Sequence, residues 1–118
     1  MVALPEDGAH GYIAGFLDAD GTVKFKTVRG KYPACVVVWY NSYLPSLEFI
    51  RQYTGGLITS RVVQSGKSFY TLRINYAEMR VILPKIAKFL TEKQAEAIEI
   101  LSYLEKRSEE EVILDYIV

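Results

Sequence analysis

A repeated order of elements limits the folds open to this chain more than any other feature of its sequence. Alternating apolar and polar residues predict strands, apolar residues three or four positions apart predict helices, and glycine or proline clusters separate them. The predicted elements are a helix at 9–19, strands at 22–28 and 34–40, a helix at about 45–53, strands at 57–64 and 68–75, and a helix after Asn75. One helix followed by two units of hairpin plus helix predicts an α+β fold with a four-stranded antiparallel sheet.

The last third of the chain is predicted to be helical. Pro84 is expected to interrupt the third helix, Thr91 to cap a fourth at 92–107, and Ser108 to cap a short last one. The apolar residues expected to face the sheet are Ala95, Ile98, Leu101 and Leu104, with Ala97 as a further candidate. Because no low-complexity linker interrupts the sequence, residues 1–118 are expected to form one domain.

Both predicted hairpins have two unlike faces. Lys24 and Lys26 lie on the face opposite Val23 in the first strand, and Arg73 alternates with apolar residues in the last strand. One face of the sheet is thus expected to pack on the helices, and the other to carry the basic side chains. A β-ribbon fits the major groove of duplex DNA, where base edges can be distinguished, so duplex DNA is a candidate partner.

The second strand is apolar on both faces, and its orientation stays open at this point. Val36 and Val38 lie on the basic face in one register, where they would contact thymine methyl groups. A slip of one residue places Cys35, Val37 and Trp39 there instead and exchanges every assignment on the strand. The strand is also consistent with a place inside the sheet core.

The formal net charge is zero, but the charges are unevenly distributed along the chain. Between Gly21 and Asn75 eight basic residues accompany one acidic residue, Glu48, whereas from Tyr76 onward six basic residues accompany nine acidic ones. Nucleic-acid-binding domains usually carry a basic excess, because cationic side chains displace counterions from phosphates. The first two thirds of this chain can present such a surface although the whole chain is neutral.

The single cysteine, Cys35, excludes an intrachain disulfide and a multi-cysteine metal site, which suits a reducing compartment. The sequence has no basic segment followed by an apolar signal region and no apolar run of bilayer length. A soluble intracellular protein of cytoplasm, nucleoid or organelle, without a membrane partner, is therefore expected.

The first predicted helix has a face of small residues. Gly11, Ala14, Gly15 and Asp18 stand at i, i+3, i+4 and i+7, and bulky apolar residues fill the opposite side. Small side chains allow two helix backbones to approach closely. With one such helix per chain, the expected partner is a second copy, and these four residues are predicted to form a two-fold dimer interface.

The same helix ends in the sequence Asp18-Ala19-Asp20-Gly21. Its carboxylates stand at a helix C-terminus, which already carries unpaired carbonyls and the negative end of the dipole. Two such ends side by side would favour bound divalent cations, and Mg²⁺ suits oxygen ligands beside a phosphodiester. An isolated Asp-x-Asp-Gly sequence is also typical of a plain polar turn at the end of a surface helix.

Residues 12–21 closely resemble the motif of the LAGLIDADG homing endonucleases, with Phe16 and Leu17 as the main, conservative differences. The order of helix and two hairpin-helix units resembles the αββαββα order of that family over about residues 9–105. The resemblance implies a saddle-shaped sheet over DNA, with helices on its other face and motif helices at a dimer interface. It also implies Mg²⁺-dependent cleavage of both strands at a near-palindromic site by a homodimer, because single-motif members act as homodimers.

By position in the motif, Asp20 matches the metal-binding carboxylate, and the Ala19 carbonyl matches a supporting ligand. Asn41 is similar to the polar residue that positions water in the family, whereas Asp18 resembles a structural residue at the helix end. Lys93 is chosen as the catalytic basic residue before the long helix, although a strict match puts Thr91 where lysine is common. This departure leaves the transition-state contact of the family in question.

The expected activity is site-specific double-strand DNA cleavage by an intron-type homing endonuclease, with Mn²⁺ or Ca²⁺ able to replace Mg²⁺ in binding. The alternative is a non-cleaving nucleic-acid-binding module of the same fold, a maturase or regulator, for which intron RNA is a further candidate partner. The residues predicted to bind DNA are Lys24, Lys26, Arg29, Lys31, Thr59, Arg61, Lys67, Thr71 and Arg73.

Overall fold

The computed structural model of the chain describes residues 6–28 and 32–117. Its elements are helix α1 (Glu6–Asp20), strands β1 (Gly21–Val28) and β2 (Tyr32–Asn41), helix α2 (Leu44–Thr54), strands β3 (Leu57–Val62) and β4 (Ser68–Arg73), helix α3 (Tyr76–Ile86), a 3₁₀ turn (Ala87–Phe89) and helix α4 (Gln94–Ile117). This order confirms the predicted α+β fold. In the part of the chain that the structure describes, none of the helices is both long and apolar enough to cross a membrane.

The four strands form one antiparallel sheet in the order β1-β2-β4-β3. Strand β1 pairs with β2 and strand β3 with β4, along most of their lengths. The two hairpins meet in the middle of the sheet, where β2 pairs with β4. That junction is short, running from the pair Val38 and Arg73 to the pair Asn41 and Tyr70. The end of β2 that leads into α2 therefore lies at the centre of the sheet.

A single hydrophobic core fills the space between the inner face of the sheet and the helices. Trp39 on β2 is fully buried there, and its indole Nε1 donates a hydrogen bond of 3.2 Å to the main-chain oxygen of Ile13 in α1. Satisfying the indole N–H removes the main cost of burying a tryptophan, so its whole surface contributes to stability. The other large, fully buried side chains are Ile13, Leu17, Leu47, Ile50, Leu72, Met79, Ile82, Leu83, Ile86, Ile100 and Leu104.

Helix side chains satisfy backbone donors that the sheet leaves unpaired. The Phe25 N–H on the edge strand β1 donates to Oε2 of Glu96 in α4 at 3.1 Å. The Cys35 N–H, on the part of β2 beyond its pairing with β4, donates to the Tyr76 hydroxyl at 3.1 Å. Because unpaired strand N–H groups are sites of edge-to-edge association, these contacts both fix the helices and block the exposed edge.

The predicted boundaries in the last third were wrong in three places. Pro84 lies inside α3, which a capping box at Asn75 starts and which ends two residues after the proline. Ser108 does not begin a new helix, because α4 runs without a break from Gln94 to Ile117. Thr91 does not cap α4 directly, because a turn separates it from Gln94, the first residue of the helix. Contacts with α1, described below, hold that turn.

The buried side of α4 matches the predicted one at Leu104 and at the further candidate Ala97, but not at Ala95 and Ile98. Ala97, Ile100 and Leu104 are buried against the core, whereas Ala95 is exposed and Ile98 is 52% exposed. Spacing alone allowed both stripes, because each has apolar residues at three- and four-residue intervals. Contact with β1, through Glu96, selects the stripe that faces the sheet.

Candidate nucleic-acid interface and metal site

The outer face of the sheet, turned away from the helices, is the first candidate site. Residues directly opposite each other in antiparallel strands share a face, so the pairing assigns every described strand residue to a side. The outer face consists of Thr22, Lys24, Lys26, Ala34, Val36, Val38, Tyr40, Leu57, Thr59, Arg61, Phe69, Thr71 and Arg73. Cys35, Val37 and Trp39 are buried on the inner face, which settles the open orientation of β2.

This outer face is cationic. Lys24, Lys26, Arg61 and Arg73 are exposed on it, and the four strand sequences contain no aspartate or glutamate. A surface of this charge attracts phosphates over a Debye length of about 8 Å at physiological salt. The predicted DNA-binding residues Thr59 and Thr71 lie directly opposite each other on the same face.

The remaining predicted DNA-binding residues are Lys67, Arg29 and Lys31. Lys67 is exposed in the second turn, and its ammonium lies 5.9 Å from the centre of the Phe69 ring, within the range of a cation–π contact. Arg29 and Lys31 lie outside the described residues. The suggested thymine contact of Val38 is corrected, because Val38 is fully buried, while Val36 is only partly covered.

Asp20 occupies the junction between α1 and β1. It is the last residue of the helix and Gly21 is the first of the strand, so no loop separates the two. A Cβ at Gly21 would lie 2.8 Å from the main-chain oxygens of both Leu17 and Val38, a distance that real Cβ atoms do not reach. The missing side chain of Gly21 therefore allows the helix end to sit directly against β2.

Asp20 and Asn41 line one surface depression together with Tyr40, Ser42 and Phe69. The Asp20 carboxylate is exposed and makes no hydrogen bond or ion pair with other residues in the described ranges. The Asn41 Oδ1 atom accepts a hydrogen bond from the Tyr43 N–H at 2.7 Å, which fixes the side chain and leaves its amide nitrogen out of that bond. The structure thus brings together two of the three predicted catalytic residues.

Asp18 has a different role, as the sequence indicated. Its carboxylate accepts hydrogen bonds from the Thr91 N–H at 2.7 Å, the Thr91 hydroxyl at 3.1 Å and the Lys93 N–H at 3.0 Å. Partial burial opposes ionisation of Asp18, but these bonds and the nearby Lys93 charge hold its pKa below the usual 3.8. Asp18 therefore ties the turn before α4 to the end of α1.

Lys93, the third predicted catalytic residue, lies at this same junction and not in the depression. Its Nζ donates to the main-chain oxygen of Asp18, one of the carbonyls that a helix C-terminus leaves unpaired. A cation there also interacts favourably with the helix dipole. None of the residues lining the Asp20 depression is basic.

The predicted dimer face of α1 is only partly accessible. Ala14 is fully buried in the chain's own core and Asp18 is engaged with Thr91, so neither of them is free to meet a partner helix. Gly15 is exposed and Gly11 is partly exposed, and a Cβ at either position would meet nothing within 4 Å. Glycine inside a helix costs about 1 kcal/mol relative to alanine, and neither of these two glycines has a packing role within the chain.

Asp20 and Ala19 are the residues here that could supply oxygen ligands to a magnesium ion. Mg²⁺ typically keeps several waters and takes one or two carboxylates. Asp20 supplies one exposed carboxylate, and Ala19 supplies a carbonyl at the helix end. Within the described ranges no three acidic, histidine or cysteine side chains group together.

Sequence reasoning missed Tyr40 and Ser42 in this depression. The alternation that placed Val36 and Val38 on the outer face reaches Tyr40 two positions later, so the signal was present in the sequence. Ser42 follows the last residue of β2 and carries no pattern of its own. Its place in the depression depends on the turn that Asn41 closes.

No family model matches the sequence of this chain, and no curated protein does. Solved structures do match. The homing endonuclease I-CvuI, in complex with its target, is 23% identical with a TM-score of 0.65, over 86% of this chain and 68% of that one. The archaeal intron-encoded homing endonuclease I-Vdi141I, complexed with DNA, is 23% identical with a TM-score of 0.66, over 89% of this chain and 72% of that one.

A third match is the LAGLIDADG meganuclease I-AabMI bound to uncleaved DNA. It is 13% identical with a TM-score of 0.62, and the match covers 88% of this chain but 39% of that one. The chain therefore has the fold of the LAGLIDADG homing endonucleases. Of the candidate site residues, Asp20 is the last residue of α1 and Asn41 the last residue of β2.

Proposed function

We propose that this chain is a site-specific double-strand DNA endonuclease that hydrolyses phosphodiesters as a Mg²⁺-dependent homodimer. The observation that carries the proposal is the exposed Asp20 carboxylate, beside Asn41, at the margin of a cationic sheet face. The likeness to structures of DNA-bound homing endonucleases supports DNA as the substrate. The I-CvuI complexes were obtained with Ca or Mg, which supports a divalent cation.

The homodimer part of the proposal is supported by the two accessible glycines of α1, Gly11 and Gly15. A two-fold partner packed along Gly11 and Gly15 of α1 would bring a second Asp20 close to the first, because the helix that carries the glycines also ends at this aspartate. Two identical sheet faces then meet two identical half-sites. A near-palindromic target is the consequence of that symmetry.

In this proposal Asp20 of each chain and the Ala19 carbonyl hold the cation. When bound, Mg²⁺ supplies a more acidic water and neutralises charge on the phosphate oxygens. Asn41 orients the attacking water through its amide, because its carbonyl oxygen is already held by the Tyr43 N–H. Lys24, Lys26, Arg61 and Arg73 bind the duplex and fix its position over the two carboxylates.

The experiment that tests the activity compares the wild type with Asp20→Asn on duplexes selected from a randomised library in Mg²⁺. We expect Asp20→Asn to lose nicking and cleavage by at least about a hundredfold, the order seen when a group that stabilises the transition state is removed. Its DNA affinity, measured in Ca²⁺, is expected to stay within about threefold, because Asp20 lies beside the cationic face and not on it.

Asp7→Asn is the matched control, since it removes an exposed carboxylate from the other end of the same helix. It is expected to cleave like the wild type. Cleavage by Asp20→Asn at the wild-type rate would contradict its role as metal ligand.

A non-cleaving nucleic-acid-binding module is the second candidate, and one observation favours it. The Asp20 depression has no basic residue, and the Lys93 ammonium is bound to a helix carbonyl. A chain of this kind would bind duplex DNA or intron RNA without cutting it in Mg²⁺ or Mn²⁺. The library experiment separates the two candidates, because only the endonuclease yields cleaved duplexes.

A further inference from the structure

Two exposed aromatic rings lie next to each other on the outer face of the sheet. Tyr40 is 42% exposed and Phe69 is 38% exposed. Tyr40 pairs with Thr71 across β2 and β4, so Phe69, two residues from Thr71, is its diagonal neighbour on the same face. The exposed surfaces of these two neighbouring rings indicate a contact that the isolated chain does not make.

The position of the pair relative to the candidate catalytic residues is specific. Tyr40 and Phe69 line the depression that contains Asp20 and Asn41. They also line a second depression farther along the sheet, whose other lining residues are Thr59, Ser60, Arg61 and Thr71. The two rings therefore form the boundary between the metal-binding end of the site and the part of the sheet that carries Arg61.

The apolar surface of the two rings suits contact with an apolar group on a base edge. In the major groove thymine alone presents a methyl group, and apolar side chains contact it favourably. Arg61 lies directly opposite Phe69 in the register of β3 and β4. An arginine in that place suits guanine, whose O6 and N7 atoms accept a bidentate pair of hydrogen bonds.

We propose that Tyr40 and Phe69 determine sequence preference at the base pair beside each cut phosphate, favouring thymine, and that Arg61 reads the next pair outward. This inference rests on the proposed function, because it takes Asp20 as the point of cleavage. In this arrangement the duplex lies on the cationic face with the cut phosphate at Asp20. The base pair next to that phosphate contacts the two rings, and the following pair contacts Arg61.

The test is selection of cleaved duplexes from a fully randomised double-stranded library in Mg²⁺, with wild type, Phe69→Ser, Tyr40→Ser and Arg61→Gln. The wild type is expected to enrich thymine at the pairs that flank the cuts. Phe69→Ser and Tyr40→Ser should each reduce that preference about fourfold, the factor given by burial of one methyl group. Arg61→Gln should leave the thymine preference intact and weaken the guanine preference one pair outward.

Val62→Ser is the matched control, because Val62 is 67% exposed on β3 but lies on the opposite side of the strand from Arg61. It removes a similar apolar surface and is expected to leave all preferences unchanged. Repeating the selection as binding in Ca²⁺ separates base preference from cleavage rate. Unfolding curves for each variant establish that these exposed substitutions leave the fold intact.

The outcomes distinguish this inference from the proposed function. If the wild type cuts duplexes but Phe69→Ser and Tyr40→Ser keep its preference beside the cuts, the inference is wrong and the endonuclease stands. If the wild type neither cuts nor binds any duplex in the library, the proposed function fails, and the inference fails with it.

Discussion

Asp18 and Asp20 lie two residues apart in one motif but have different surroundings in the structure. Both Asp18 and Asp20 stand at the end of α1, but Asp18 accepts three hydrogen bonds from Thr91 and Lys93, whereas Asp20 accepts none within the described ranges. The difference follows from direction on the helix, since residues two apart point to different sides. Asp18 faces the turn before α4, and Asp20 faces the open depression.

The lowered pKa of Asp18 gives a prediction for the stability of the protein against pH. Its folded pKa lies below the usual 3.8, so the ionised form stabilises the fold fully above the unfolded value, and this contribution is lost as pH falls through the folded value. We expect Asp18→Asn to lower the free energy of unfolding by about 1 kcal/mol at pH 7. Urea denaturation should show this difference begin to shrink below about pH 4, where the unfolded state starts to bind a proton at Asp18, and disappear once pH falls below the folded pKa.

Asp20→Asn is the control for Asp18→Asn, because it removes a charge from the same helix end without removing a hydrogen bond. Its stability is expected to equal or exceed that of the wild type, since a negative charge at a helix C-terminus is unfavourable. A difference between Asp18→Asn and wild type that stays constant down to pH 2 would refute the role given to the Asp18 carboxylate.

Among the helices and strands, those that are determined by residues close together in the sequence were predicted best. The two hairpins were predicted because alternation and turn residues act over a few positions, as the pairing of Lys24 with Val36 confirms. The start of α4 was not predicted, because Thr91 and Lys93 are held by Asp18, more than 70 positions earlier. Contacts at that separation leave no pattern in a single sequence.

The candidate site shows the same limit. Asp20 was proposed because it belongs to a continuous motif, and Asn41 because of its similarity to the polar residue of the family just beyond the second strand; the structure places both in one depression. Lys93 was expected near the depression, but its side chain turns to the end of α1. Ala14 was placed with the glycines of α1 by the helical wheel, which cannot tell whether a small side chain faces a partner or the chain's own core.

The accessible glycines of α1 give a prediction about the element as an interface. Gly15→Leu is expected to convert the proposed dimer to a monomer in sedimentation, because a branched side chain separates two closely packed helix backbones. A Cβ at Gly15 meets nothing within 4 Å in the chain itself, so the substitution is not expected to disturb the fold. Leucine has the higher helix propensity by about 0.8 kcal/mol, so stability of the single chain should hold.

Ser102→Leu provides the comparison for Gly15→Leu, since it adds the same side chain to an exposed position of α4. It is expected to sediment like the wild type. A Gly15→Leu protein that remains a dimer would exclude the glycine face as the contact between chains.

For binding of the whole molecule to DNA, the distribution of charge over its surface matters more than its net charge. The formal net charge is zero, yet the outer face carries Lys24, Lys26, Arg61 and Arg73 without acidic neighbours on the strands. Long-range attraction to DNA is weak for a neutral molecule, whereas close contact with phosphates depends on the cations at the surface that meets them. The proposed complex should therefore be strongly sensitive to salt despite the neutral composition.

The salt dependence can be stated as a slope. Lys24, Lys26 and Arg73 on each of two chains neutralise up to six phosphates, and each contributes about −0.9 to the slope of log affinity against log salt, so a slope approaching about −5 is expected. Lys24→Gln should reduce its magnitude by about 2, one phosphate contact in each chain. Lys88→Gln, which removes an exposed charge in the turn after α3, should leave the slope unchanged. A flat response of the wild type in Ca²⁺ would mean that the sheet face does not contact phosphates, because no neutral contact reproduces counterion release.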